Sequence, residues 1–75
     1  MKRVGEVVRI AQGLAIVRSA DDDYPGFGTE VVTEDLTTAG SVVDVFGPVE
    51  NPYVAVTPDD EVRLPTLVGQ RLYAR

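Results

Sequence analysis

The chain contains no cysteine, no histidine and no tryptophan. The first absence removes disulfides and thiolate nucleophiles, and the first two together remove imidazole bases and almost every zinc or iron site. Any catalysis would have to rest on carboxylates. Lysine is nearly missing as well: Lys2 stands alone among seven basic residues, which face twelve acidic ones for a net charge of -5. The basic residues, Lys2, Arg3, Arg9, Arg18, Arg63, Arg71 and Arg75, are scattered along the chain. Nucleic-acid affinity is dominated by phosphate neutralisation and needs a basic stripe or patch, so the sequence disfavours direct RNA or DNA binding. Scarce lysine, with acidic runs at Asp21, Asp22, Asp23 and at Asp59, Asp60, Glu61, fits a protein kept soluble in concentrated salt, and a halophilic source is expected. No stretch approaches the roughly 20 apolar residues that span a bilayer. Glu6 interrupts the start before any apolar run follows Lys2 and Arg3, so a secretory signal is not expected either. These readings predict a cytoplasmic protein with no membrane partner.

What is present is ordinary for a globular chain: 75 residues, 44% of them apolar and 25% charged. One domain over residues 1–75 is expected, burying about 60% of the surface its unfolded chain exposes. Val, Ile and Thr recur in short runs broken by Gly, Pro and Asp, and nothing repeats at helical spacing, so the chain reads as all-β. Residues 4–10 and 14–18 form the first two strands, joined by a three-residue link, Ala11-Gln12-Gly13, in which Gly13 supplies the positive φ of a bulged hairpin. Gly5 within the first strand predicts a bulge or a close backbone approach. A polar loop over residues 19–29 and a short strand over 30–33 follow, and residues 34–39 connect to a strong strand over 40–46. In that strand Val43 and Val45 are expected on the core face, with Val42, Asp44 and Phe46 opposite. Its partner is the strand over 53–57, with Val54 and Val56 inward. Pro65 makes residues 62–67 irregular, and 68–74 form the last strand. So many short strands have exposed edges unless the sheet closes, which favours a small barrel.

The candidate chemical motifs are each incomplete. Counting Asp21 as the first position of a calcium loop puts Pro25 and Val32 where carboxylates are needed. Asp44 and Glu50 lack the desolvated cleft that acid and base catalysis requires. Gly26-Phe27-Gly28 lacks the lysine and hydroxyl residue of a phosphate loop and no helix follows it. Tyr24 and Phe27 sit beside three aspartates, the wrong surroundings for base stacking. No metal, cofactor, small-molecule substrate or enzymatic activity is expected.

One stretch resists a structural explanation. In "DVFGPVENPY", residues 44–53, Phe46, Pro48, Val49, Pro52 and Tyr53 crowd a six-residue hairpin loop over 47–52, where a wet polar turn would suffice. Two prolines confine φ and remove N–H donors, so the loop is rigid. Either Phe46 and Tyr53 cap an open barrel end, or the loop presents a stiff apolar patch of the kind that binds proteins.

The longer stretch "GSVVDVFGPVENPYVAV", residues 40–56, resembles the central signature of the Gar/Naf family. The opening "MKRVGEVVRIAQGLAIVR" is similar to that family's first hairpin, and "LVGQRLY" to its closing strand. The resemblance covers nearly the whole chain and is nearest to the archaeal Gar-type subunits of H/ACA ribonucleoproteins. It implies a six-stranded closed β-barrel, related to those of translation factors, that docks on a dyskerin-type pseudouridine synthase. Such a subunit is noncatalytic, meets the guide RNA only indirectly through the complex, and modulates substrate RNA loading and release during rRNA pseudouridylation. Carried over to this chain, Gly47 and Pro48 shape the turn, while Phe46, Val49, Pro52 and Tyr53 supply the contact surface. Two departures from many relatives are expected: no basic or glycine-arginine tail, and an unusually acidic loop over 19–29. Rival readings are a single-stranded nucleic-acid-binding small barrel and a stand-alone translation-factor-like module.

Overall fold

Val, Ile and Thr suit a pleated surface, and this chain uses them to close a sheet on itself. The computed structural model describes residues 2–19 and 24–75. Its strands are β1 (Lys2–Ala11), β2 (Leu14–Ser19), β3 (Glu30–Val32), β4 (Thr38–Phe46), β5 (Tyr53–Pro58) and β6 (Arg71–Ala74), with a 3₁₀ turn at Leu64–Leu67 before the last. They form a closed antiparallel barrel in the order β1-β2-β5-β4-β3-β6. Although short, β6 completes the ring by pairing with β1 on one side and β3 on the other. Every strand contributes to one small core, with Val4, Val7, Val17, Val31, Val42, Val54, Val56 and Leu72 at its centre. β-branched side chains are stiff at χ1 and lose little on being fixed there.

Three local details differ from expectation, each for a physical reason. Ala11 pairs with Leu14, so the first connection is a two-residue turn in which Gln12 (φ 53°) and Gly13 (φ 75°) both have positive φ. This is the signature of a type I′ turn, whose twist matches that of its flanking strands without the expected bulge. The bulges lie inside the strands instead. In β4 the register shifts between Val42 and Asp44, and the extra residue, Val43, breaks the alternation. Val42 is therefore buried, Val45 packs on the core three residues later, and Val43, expected inward, is 44% exposed. The same device in β1 follows Val7. Lastly, Pro65 interrupts no ladder, because it sits in the first turn of the 3₁₀ segment, which delivers Leu67 into the core; β6 accordingly begins at Arg71 rather than at residue 68.

The expected bulge at Gly5 is present, with a register shift between Arg3 and Gly5. Strands cross so closely there that a Cβ on Gly5 would lie 1.9 Å from the Arg18 carbonyl oxygen, and one on Gly40 would lie 1.9 Å from that of Thr57. The acidic run Asp21, Asp22, Asp23 lies outside the described residues. Within those residues no helix is long and apolar enough to cross a membrane.

Candidate docking surface on the second hairpin

Antiparallel pairing sets Phe46 of β4 directly opposite Tyr53 of β5. Their rings stack with centroids 5.6 Å apart and planes 26° from parallel, a favourable offset for two aromatic quadrupoles. The row continues onto β2, where Arg18 pairs with Tyr53, and onto β1, where Glu6 pairs with Arg18. Arg18 holds its guanidinium carbon 5.9 Å from the Tyr53 ring centroid and directs a nitrogen to the phenol oxygen at 3.5 Å. That contact holds the Tyr53 hydroxyl below the usual tyrosine range and Arg18 above its own ordinary value. Phe46 and Tyr53 thus lie outside the core cluster.

The loop is held from beneath. Pro52 is buried, and its carbonyl oxygen accepts hydrogen bonds from both the backbone N–H (3.1 Å) and the hydroxyl of Ser19 at the end of β2. Gly47 has φ 91°, and a Cβ there would meet the Tyr53 ring at 2.9 Å, so the turn and the aromatic stack require glycine together. On this base Pro48 is exposed, Val49 is 88% exposed at the tip and Phe46 is 40% exposed. Val43, turned out by its bulge, adds apolar surface lower on the same strand. Asp44 and Glu50 are exposed within this patch, and Asp44 accepts a hydrogen bond from the Val45 N–H at 2.8 Å.

Of the residues singled out in the sequence, Phe46, Gly47, Pro48, Val49 and Tyr53 come together at the surface, while Pro52 serves from below as an anchor. Sequence reasoning missed Arg18, Ser19 and Val43. The first two reach the hairpin only through the β2–β5 register, about which the local sequence carries no signal. The bulge at Val43 was likewise hidden, because two adjacent valines satisfy either alternation. In the turn at residues 27–28, Phe27 is 71% exposed, and the Gly28 N–H donates to the Val42 carbonyl at 2.7 Å.

Fold and surface together define a small closed barrel that presents an anchored apolar hairpin. The comparisons with known proteins agree and are more specific. Residues 1–75 match the family described as "Gar1/Naf1 RNA binding region". A protein of Methanothermobacter thermautotrophicus, described only as uncharacterized, is 34% identical over 77 residues, which cover 97% of this chain and 82% of that one. Among solved structures, "Structure of the Gar1 domain of NAf1" superposes with a TM-score of 0.73 at 19% identity, covering 99% of this chain and 81% of that one. The chain belongs to the Gar1/Naf1 family, whose members are noncatalytic accessory proteins of H/ACA ribonucleoproteins.

Proposed function

We propose that this protein is the Gar-type subunit that docks on the catalytic subunit of a dyskerin-type, RNA-guided pseudouridine synthase, using the hairpin between β4 and β5. The observation that carries this reading is the cost of the hairpin. Val49 on the loop, with Phe46 and Val43 on the strand that leads into it, keeps large apolar areas in water, and Pro52, Ser19 and Gly47 hold that loop in one shape. A rigid apolar patch loses little conformational entropy on binding, which is the property of a preorganised protein contact. Phe46, Val49 and Tyr53 supply contact, with Gly47 and Pro48 shaping the turn and Pro52 supporting it.

The function that follows is modulation rather than chemistry. Docking fixes the barrel against the synthase, and the complex favours one position of the loop that admits and releases substrate RNA, so that rRNA pseudouridylation is tuned from outside the catalytic site. The guide RNA is met through the complex, and the location is the cytoplasm. Isothermal titration of a purified dyskerin-type synthase tests the assignment. Phe46→Ala should weaken binding by about 2 kcal/mol, roughly thirtyfold, while far-ultraviolet circular dichroism stays native. Unchanged affinity would contradict it. Tight, salt-sensitive binding to a single-stranded oligonucleotide, abolished by the same substitution, would replace it with a nucleic-acid reading.

A further inference from the structure

A closed barrel has no free edges in principle, yet β4 outruns its neighbour. On the side of β3, pairing covers Thr38, Gly40 and Ser41, and the loop before β3 adds two bonds at Val42: Gly28 N–H to the Val42 carbonyl and Val42 N–H to the Thr29 carbonyl. There the neighbouring chain closes into a turn, with Thr29 N–H on the Gly26 carbonyl at 3.2 Å, rather than continuing as a strand. Among the described residues no backbone hydrogen bond reaches residues 43–46 from that side.

Alternation fixes which groups face the gap. The Pro52 carbonyl is taken by Ser19 of β2, so Val54, two residues on, also addresses β2, while Tyr53 and Ala55 address β4. Val45 lies opposite Val54 and therefore turns its N–H and C=O away from β5, towards the open side. Val42, opposite Val56, behaves in the same way and spends both groups on the loop. At Val45 no strand is present among the described residues, and the carboxylate of Asp44 takes the N–H at 2.8 Å instead. Asp44 is a placeholder for a strand, and a charged side chain is a common guard on a bare edge.

We infer that an extended segment of a protein partner adds to β4 at Val45, antiparallel or parallel, displacing the Asp44 carboxylate. The inference rests on the docking reading above and deepens it, because the open edge lies between exposed Val43 and the Phe46–Tyr53 stack and so continues the same surface. A peptide backbone offers the donor and acceptor that Val45 needs, and alternate side chains of the added strand cover Val43 and Phe46. The displaced carboxylate calls for a Lys or Arg on that segment. RNA fits poorly, since its phosphates would face Asp44 and lack the alternating donors of an extended peptide.

Amide exchange followed by NMR on the ¹⁵N-labelled protein, alone and saturated with a purified dyskerin-type synthase, decides the matter. In the free protein Asp44→Ala should speed exchange at Val45 several-fold, by roughly the worth of one hydrogen bond. In the complex, Val45 of both wild type and Asp44→Ala should become protected by about tenfold or more beyond the free wild type. If the synthase binds and Phe46→Ala weakens it, but exchange at Val45 is unchanged by the complex, strand addition is wrong and the docking reading survives. If the synthase does not bind at all, both fall. Protection conferred by a single-stranded RNA in place of the protein would also overturn the inference.

Discussion

The two longest hairpins of this barrel do the same topological job at very different expense. Between β1 and β2 the chain reverses on two residues, Gln12 and Gly13, both exposed and neither apolar in character. Between β4 and β5 it takes residues 47–52, with two prolines, an 88% exposed valine at the tip and a stacked aromatic pair at the base. Both turn an antiparallel pair around, so closing the barrel accounts for the first loop and for only part of the second. The remainder is surface held in place for something else.

The largest expected effect falls on neither loop but on the frame that positions them. Gly40→Ala forces a Cβ onto the Thr57 carbonyl oxygen, a backbone atom that cannot swing aside. It should cost about 3 kcal/mol or more, a large share of the stability of a domain this small, and urea denaturation will read it as a lowered midpoint or no folded baseline. Gly13→Ala meets nothing within 4 Å and strains only a positive φ, so about 1 kcal/mol is expected. Equal losses at the two glycines would mean that the close strand crossing is not what the barrel depends on.

Next comes Gly47→Ala, which combines the φ of 91° with a 2.9 Å approach to the Tyr53 ring. About 1–3 kcal/mol of stability should be lost. Affinity for the synthase should fall with it, since the ring must move out of its stack on Phe46. A variant that loses stability but docks normally would detach the stack from the contact.

The smallest effect is a titration. Because Arg18 favours the ionised phenol, ultraviolet difference titration should find Tyr53 ionising below the ordinary tyrosine value near 10, and Arg18→Leu should raise it. A folded value below the unfolded one means that the associated stability is fully present above about pH 10 and lost as pH falls through the folded value. If Arg18→Leu leaves the Tyr53 titration where it was, the guanidinium does not govern the ring. Asp35 behaves alike at the acidic end. Its carboxylate accepts hydrogen bonds from the Thr33 hydroxyl and the Thr37 N–H and lies below the ordinary aspartate value, so its contribution is present above about pH 4 and lost at lower pH.

Much of this was legible before any coordinates. Short Val-rich runs between turn formers announce strands, Gly5 announces a close crossing, and the loop over 47–52 stands out because its apolar residues have no local purpose. Closure was legible from the number of short strands, and the count of six came from the resemblance; strand order and register were not legible, since they depend on pairs such as Arg18 and Tyr53, 35 residues apart. Val43 shows the limit most clearly. A one-residue bulge reverses which valine faces the core, yet its sequence is compatible with either choice. Pro52 shows a second limit: a proline in a loop can be surface or anchor, and only the hydrogen bonds from Ser19 distinguish them.

The most direct test of the central claim is a paired calorimetric titration of a dyskerin-type synthase with two double variants, Phe46→Ala with Val49→Ser at one hairpin and Gln12→Ala with Leu14→Thr at the other. The account predicts that the first loses at least about a hundredfold in affinity and the second keeps wild-type affinity, both remaining folded. Wild-type binding by the first variant, or an equal loss by the second, would contradict it.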